Sequence, residues 1–260
     1  MVLFTDYFNL GKTQGEIDFV NVPIDGDIPL FIDPFALSQR LDPISSVCHD
    51  TLVDYFSILL DSIRFGNDQV ARRMLGFLRE PNETRFGYSS NKPKGAGIGK
   101  GQSKDIFQAL KDSSAVKTGF ISSLEECELM VEGIARDKIS DLTTNIIRAH
   151  LAEYTKKQCD LWNISTRRVS LPPAYNMEQH EWISSYFELP VANNSAILLV
   201  PKAFARYDPA YNHGNYYRHF VLEYLQSEHL DANSSLVNTL KNGKRVVYKK
   251  DIEEIFPCTK

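Results

Sequence analysis

Along this chain, hydrophobic positions change period several times. Glu16-Ile17-Asp18-Phe19-Val20-Asn21-Val22 alternates polar and apolar residues, the pattern of a half-buried strand. Pro23-Ile24-Asp25-Gly26-Asp27 has turn chemistry, and Ile28 to Ile32 reads as a second strand that Pro29 pushes toward a sheet edge. Together they predict a short N-terminal β-hairpin. Asp33-Pro34 then predicts a helix start, with Asp33 as N-cap and Pro34 at the first helical position.

The period shifts to helical over Ser46 to Arg64, where Val47, Leu52, Val53, Phe56, Leu59, Leu60 and Ile63 share a face. Gly66-Asn67-Asp68 breaks this helix, and Gln69 to Arg79 is expected to form the next, ending before Pro81. From Pro81 to Gln102 the chain is polar and glycine-rich, and connections of that length inside a compact domain are functional or disordered. Ser103 to Lys111 is amphipathic. Asp137 to Cys159 predicts one long helix with Ile139, Leu142, Ile146, Leu151 and Tyr154 as its apolar stripe. Arg167 to Leu171 reads as a strand stopped by Pro172-Pro173, and Ser195 to Ala205 as the best buried strand. Gly214 to Leu230 and Ala232 to Leu240 read as helices, with a turn at Asn242-Gly243. The fold class predicted is α+β, helix-rich, with a short N-terminal hairpin and a few further strands. Residues 1–260 are expected to form a single globular domain or two packed lobes, 1–171 and 172–260.

Composition narrows the field. The 260 residues are 43% hydrophobic and 24% charged, enough for a real core. A net charge of −4 excludes a strongly basic protein that coats DNA, but not an enzyme with local basic patches. No apolar run approaches the ~20 residues that span a bilayer, so no membrane partner is expected. The N-terminal residues lack the basic flank and apolar stretch of a signal peptide. Cys48, Cys127, Cys159 and Cys258 are scattered without metal-site spacing and read as buried thiols. The expected location is the cytoplasm.

Four constellations could carry chemistry. Lys94 to Lys104 places four of the fourteen glycines and three lysines in eleven residues. Glycines let backbone N–H groups approach an anion, and a following helix N-terminus adds positive potential. Lys94, Gly95, Gly97, Gly99, Lys100 and Lys104 are the candidate phosphate-binding residues, although the Walker pattern GxxxxGK[ST] is absent. The second constellation is Asp137-Lys138-Ile139-Ser140-Asp141 at a predicted helix entrance. Its carboxylates suit N-capping and equally suit a hard divalent cation such as Mg2+. Asp137, Lys138 and Asp141 are its candidate catalytic residues, the two acids also being metal ligands. The third is the N-terminal acid series, where turn and edge roles account for Asp25 and Asp27, and Asp33 at a strand end is a third candidate metal ligand. The fourth is the aromatic and cationic stretch from Arg206 to His219. There Tyr207, Tyr211, Tyr216, Tyr217 and Arg218 could stack on bases or dock a protein.

The segments Pro29-Leu30-Phe31-Ile32-Asp33-Pro34, Asp137 to Ile147 (DKISDLTTNII), and Glu228-His229-Leu230 with Ala232 to Val237 resemble those of uncharacterised bacterial proteins of mobile-element and anti-phage defence loci. The resemblance brings no residue roles with it. It implies a bacterial defence component that acts on nucleic acid, with a metal-dependent nuclease as the sharpest form and a protein of the same operon as partner. Two alternatives stand beside it: a non-enzymatic interaction subunit of a defence complex, and a nucleotide-sensing module.

Overall fold

The computed structural model describes residues 2–87, 100–119, 121, 123–124, 126–127, 131, 134, 136–207, 230, 232, 234–240, 242–248 and 250–251. Contacts divide the chain into two compact units, residues 1–206 and 207–260. The fold is helix-rich α+β.

In the first unit the described helices are α1 (Phe4–Tyr7), α2 (Pro34–Ser38), α3 (Pro43–Arg64), α4 (Asp68–Leu75), α5 (Lys100–Asp112), α6 (Ser114–Lys117), α7 (Arg136–Ile146) and α8 (Arg148–Leu161). The starts of α2 and α3 follow from local chemistry. Asp33 accepts from the Phe35 N–H at 3.0 Å, and Asp42 accepts from the Ser45 N–H at 3.1 Å, each with proline at the first helical position. The buried face of α3 carries Cys48, Leu52, Tyr55, Phe56, Leu59, Leu60 and Ile63, and the helix ends where Gly66 takes φ +75°. That face shares a core with Ala71 and Leu75 of α4, Phe107 and Leu110 of α5, and Ile139 and Leu142 of α7.

A second core gathers Phe4, Ile17, Phe19, Val22, Ile24, Leu30, Cys159, Ile197 and Leu199. The run Ile197 to Val200 separates the two, because Leu198 and Val200 face the first core while Ile197 and Leu199 face the second. Extended backbone sends successive side chains to opposite sides, so a run buried on both is continuously apolar. It nevertheless builds no ladder, since each backbone group has a different partner. Ile197 N–H donates to the Pro190 carbonyl, Leu198 N–H to Glu83, Leu199 N–H to the Thr155 hydroxyl, and the Val200 carbonyl accepts from Val20 N–H.

The strands are short and pair two by two. β1 (Leu30–Ile32) pairs with β8 (Ala205–Tyr207). β2 (Arg167–Ser170) runs antiparallel to β5 (Tyr186–Leu189), and β3 (Ala174–Asn176) to β4 (Glu181–Ile183). β6 (Val191–Ala192) and β7 (Ser195–Ala196) form a tight hairpin whose turn residues, Asn193 and Asn194, have φ +47° and +62°. Asparagine tolerates that left-handed turn geometry best after glycine. The alternating segment 16–22 meets Pro201 through a single bridge at Phe19 rather than pairing with β1.

The stretch expected as one helix is two, α7 and α8, broken at Ile147. Three consecutive side chains intrude on the helical carbonyls just before the break. The Thr143 hydroxyl donates to Ile139 O, the Thr144 hydroxyl to Ser140 O, and the Asn145 amide to Asp141 O. Such back-bonding bends helices. In the second unit the described elements are β9 (Asn238–Thr239) and β10 (Arg245–Val246), an antiparallel hairpin turning at Gly243 with φ +78°. Part of the stretch expected to be helical from Ala232 is therefore strand, because Asn242-Gly243 closes a hairpin. Residues 211–229 lie outside the described residues.

Candidate functional site: a cavity around Arg85

The helix pair α7 and α8 pins irregular chain with buried polar side chains. The Ser140 hydroxyl accepts from Ile32 N–H at 2.9 Å and so fixes β1. Asn145 is fully buried: its carbonyl accepts from Arg79 N–H at 3.0 Å and its amide donates to Arg79 O at 2.6 Å. Arg148, with no exposed surface, donates from Nε to Glu83 Oε1 at 2.9 Å, from Nη1 to Pro173 O at 3.0 Å and from Nη2 to Asn145 Oδ1 at 2.8 Å. Every branch of this guanidinium has an acceptor, as a buried charge requires.

Glu83 is where this network reaches a cavity of about 270 Å³, lined by Ile24, Asp25, Asn82, Glu83, Arg85, Leu171, Asn193, Ser195 and Ala196. Its walls are held by backbone. Arg85 O accepts from Ile28 N–H and Gly87 N–H donates to Ile28 O, both at 2.9 Å, while Leu198 N–H donates to Glu83 O at 2.8 Å. The lining is graded. Ile24, Arg85 and Leu171 are buried; Asp25, Asn193 and Ser195 are exposed. Across the rim, Asn193 Nδ2 donates to Asp25 Oδ1 at 2.7 Å.

Arg85 is the anomaly. It is 5% exposed, its backbone is left-handed at φ +59°, and its Nε–H is buried without an acceptor. Its guanidinium makes no ion pair or hydrogen bond with any described residue. Left-handed backbone is costly for a long side chain and concentrates at ligand clamps; a buried unmet donor costs about 1–3 kcal/mol more.

The residues singled out by sequence are placed as follows. Asp33 caps α2 and its other oxygen lies 3.4 Å from Arg206 Nε. Asp137 and Lys138 are in the first turn of α7, and Asp141 is one turn further along. Burial first, then the Asp137, Glu80 and Glu83 carboxylates, push Asp141 up to about 8. Among the described residues no three His, Cys, Asp or Glu side chains are grouped to hold a metal ion, so the structure does not bring Asp33, Asp137 and Asp141 into one such group. Thr143, Thr144 and Asn145, polar residues in a helix interior, belong to the buried bonding described above. Lys100 opens α5 and Lys104 is exposed along it. Lys94, Gly95, Gly97 and Gly99 lie outside the described residues, as do Tyr211, Tyr216, Tyr217 and Arg218; Tyr207 is 71% exposed. Cys48 and Cys159 are buried, and burial raises both thiols, that of Cys159 to about 12, which leaves them protonated and unreactive. No helix among the described residues is long and apolar enough to cross a membrane.

Sequence reading missed Asn82, Glu83, Arg85, Asn193 and Ser195, and assigned Asp25 to a turn. One signal was available: Asn193-Asn194 between short apolar runs marks a tight hairpin. Nothing in Pro81-Asn82-Glu83-Thr84-Arg85 separates a buried arginine from a solvated one.

Fold and site together define a helix-rich α+β domain with a cavity lined by a buried arginine whose Nε–H has no acceptor among the described residues. Residues 9–212 match the model of a domain of unknown function, DUF8370, and the chain belongs to that family. The match takes in the whole cavity and nearly all of the first compact unit. No curated protein matches the chain, and no solved structure does.

Proposed function

We propose that the first unit is a binding module for a small molecule bearing an anionic group, which docks on Arg85. The observation that supports this is the buried Arg85, whose Nε–H has no acceptor among the described residues, in the lining of a cavity. Guanidinium presents a planar fork of donors that matches carboxylate or phosphate oxygens, and such charge-assisted bonds are about twice as strong as neutral ones. A cavity of about 270 Å³ suits a metabolite and not a polymer. Like the nucleotide-sensing alternative it is a ligand-binding reading, but its site is the Arg85 cavity and not the glycine-rich loop.

The test is thermal unfolding of the full chain in a series of small carboxylates and phosphates at millimolar concentration. A ligand that binds only the folded protein raises Tm with concentration. Wild type is expected to show that rise with at least one probe, and Arg85→Met to lose it. A rise that survives in Arg85→Met would remove Arg85 from binding and overturn the proposal.

A further inference from the structure

The cavity's charges say more about the ligand than that it is an anion. Two carboxylates line the same space as Arg85. Glu83 gives Oε1 to Arg148, and its second oxygen makes no hydrogen bond with a described residue. Asp25 gives Oδ1 to Asn193 Nδ2, and its second oxygen is likewise unused by the described protein. The Glu83–Arg148 pair cancels in charge, which leaves one positive group, Arg85, and one negative group, Asp25. Buried Arg85 and exposed Asp25 stand at different depths of the lining, so the fixed field has a direction. A ligand complementary to it carries one negative and one positive group and no net charge.

We propose, on the reading that the Arg85 cavity is a ligand site, that its ligand is a small zwitterion of the free amino acid class. The carboxylate sits on Arg85, and the ammonium donates to Asp25 and to the spare oxygen of Glu83. Ile24, Leu171 and Ala196 supply apolar wall for a short aliphatic side chain. A phosphate monoester gains the same arginine, but its second charge has only the uncompensated Asp25 carboxylate left to face, and like charges disfavour binding. The arrangement therefore selects against nucleotides and against a nucleic-acid backbone.

The experiment is isothermal titration calorimetry on the full chain with the twenty amino acids singly, and with isovalerate, isobutylamine, orthophosphate and adenosine monophosphate. Isovalerate is valine without its ammonium, and isobutylamine is valine without its carboxylate. The expected result is at least one aliphatic amino acid that binds about tenfold or more tighter than either of these, since each good charged contact is worth a factor of that order. Asp25→Asn should erase the preference for the amino acid over isovalerate, and Arg85→Met should abolish both. If orthophosphate, the nucleotide or isovalerate binds wild type as tightly as any amino acid, the zwitterion inference is overturned while the anion site stands. If none of the probes binds wild type, the anion site falls and this inference with it. The wild-type selectivity decides the matter even if a variant fails to fold.

Discussion

Arg148 and Arg85 are both buried, and both reach the same stretch of chain around Glu83, yet they are opposites. Arg148 has three acceptors on three segments: Glu83 after α4, Asn145 on α7 and Pro173 before β3. Arg85, two residues beyond Glu83, has none among the described residues and sits on strained backbone in the lining of a cavity. A fold gains nothing from desolvating a guanidinium without partners, whereas a binding site gains a donor set ready for its ligand. Burial of a charged residue therefore does not by itself separate structure from function; the accounting of acceptors does.

The largest effect expected is at Arg148. Arg148→Met leaves Glu83 and Asn145 without their buried partner, and should cost about 3–5 kcal/mol in chemical denaturation, the range for breaking one side of a buried pair. It also frees the Glu83 carboxylate toward the cavity and should weaken binding of any anion there. If Arg148→Met and Arg85→Met are equally destabilising, the contrast between the two arginines is lost.

Next in size is the pH dependence set by Asp141. Its folded value, about 8, lies above the ordinary carboxylate value near 3.8. Between those limits the folded state holds a proton that the unfolded chain has released, so stability falls as pH rises from about 4 to about 8 and levels off beyond. The penalty is on the order of a few kcal/mol. Asp141→Asn removes this contribution, and its stability advantage over wild type should grow from pH 5 to pH 9 in urea unfolding. An advantage that does not change with pH would show that Asp141 keeps an ordinary carboxylate value.

Arg85→Met should go the other way from Arg148→Met. It replaces an unmet buried charge with an apolar side chain and should stabilise the ligand-free protein by about 1–2 kcal/mol, while removing anion binding. A loss of stability would mean that Arg85 has a structural partner in solution. The smallest effect is expected at the rim. Asn193→Ala removes one exposed hydrogen bond to Asp25, should change stability by roughly 0.5 kcal/mol or less, and should lower ligand affinity by releasing Asp25. An affinity that stays at the wild-type value would exclude that rim bond from the site.

Local chemistry made much of the fold legible. Asp33-Pro34 predicts the start of α2 because an N-cap and a first-turn proline act within three residues. The apolar stripe from Leu52 to Ile63 predicts α3 because a helix face repeats within the sequence itself. Ser195 to Ala205 reads as the best buried strand; Ile197 to Val200 within it is buried between the two cores, but the stretch is strand only at its ends, Ser195–Ala196 and Ala205. What it could not give was pairing. Whether Leu198 N–H finds a strand or the carbonyl of Glu83 depends on which segment arrives beside it, and that segment is more than a hundred residues away. The same holds for the split of α7 from α8. Thr143, Thr144 and Asn145 stand out in sequence as poor helix formers, but their use against the helix carbonyls and Arg79 exists only once those groups are packed together.

Sequence by itself determined the helix-rich α+β class, the Asp33 cap, the main apolar faces and the turn at Asn242-Gly243, because each rests on interactions spanning a few residues. Tertiary structure alone decided the site. Asp25, Glu83, Arg85 and Asn193 come from three separate stretches that meet around one cavity. Whether an arginine there is satisfied or left open to a ligand depends on which acceptors the fold brings within hydrogen-bonding distance, and no local pattern of residues encodes that distance.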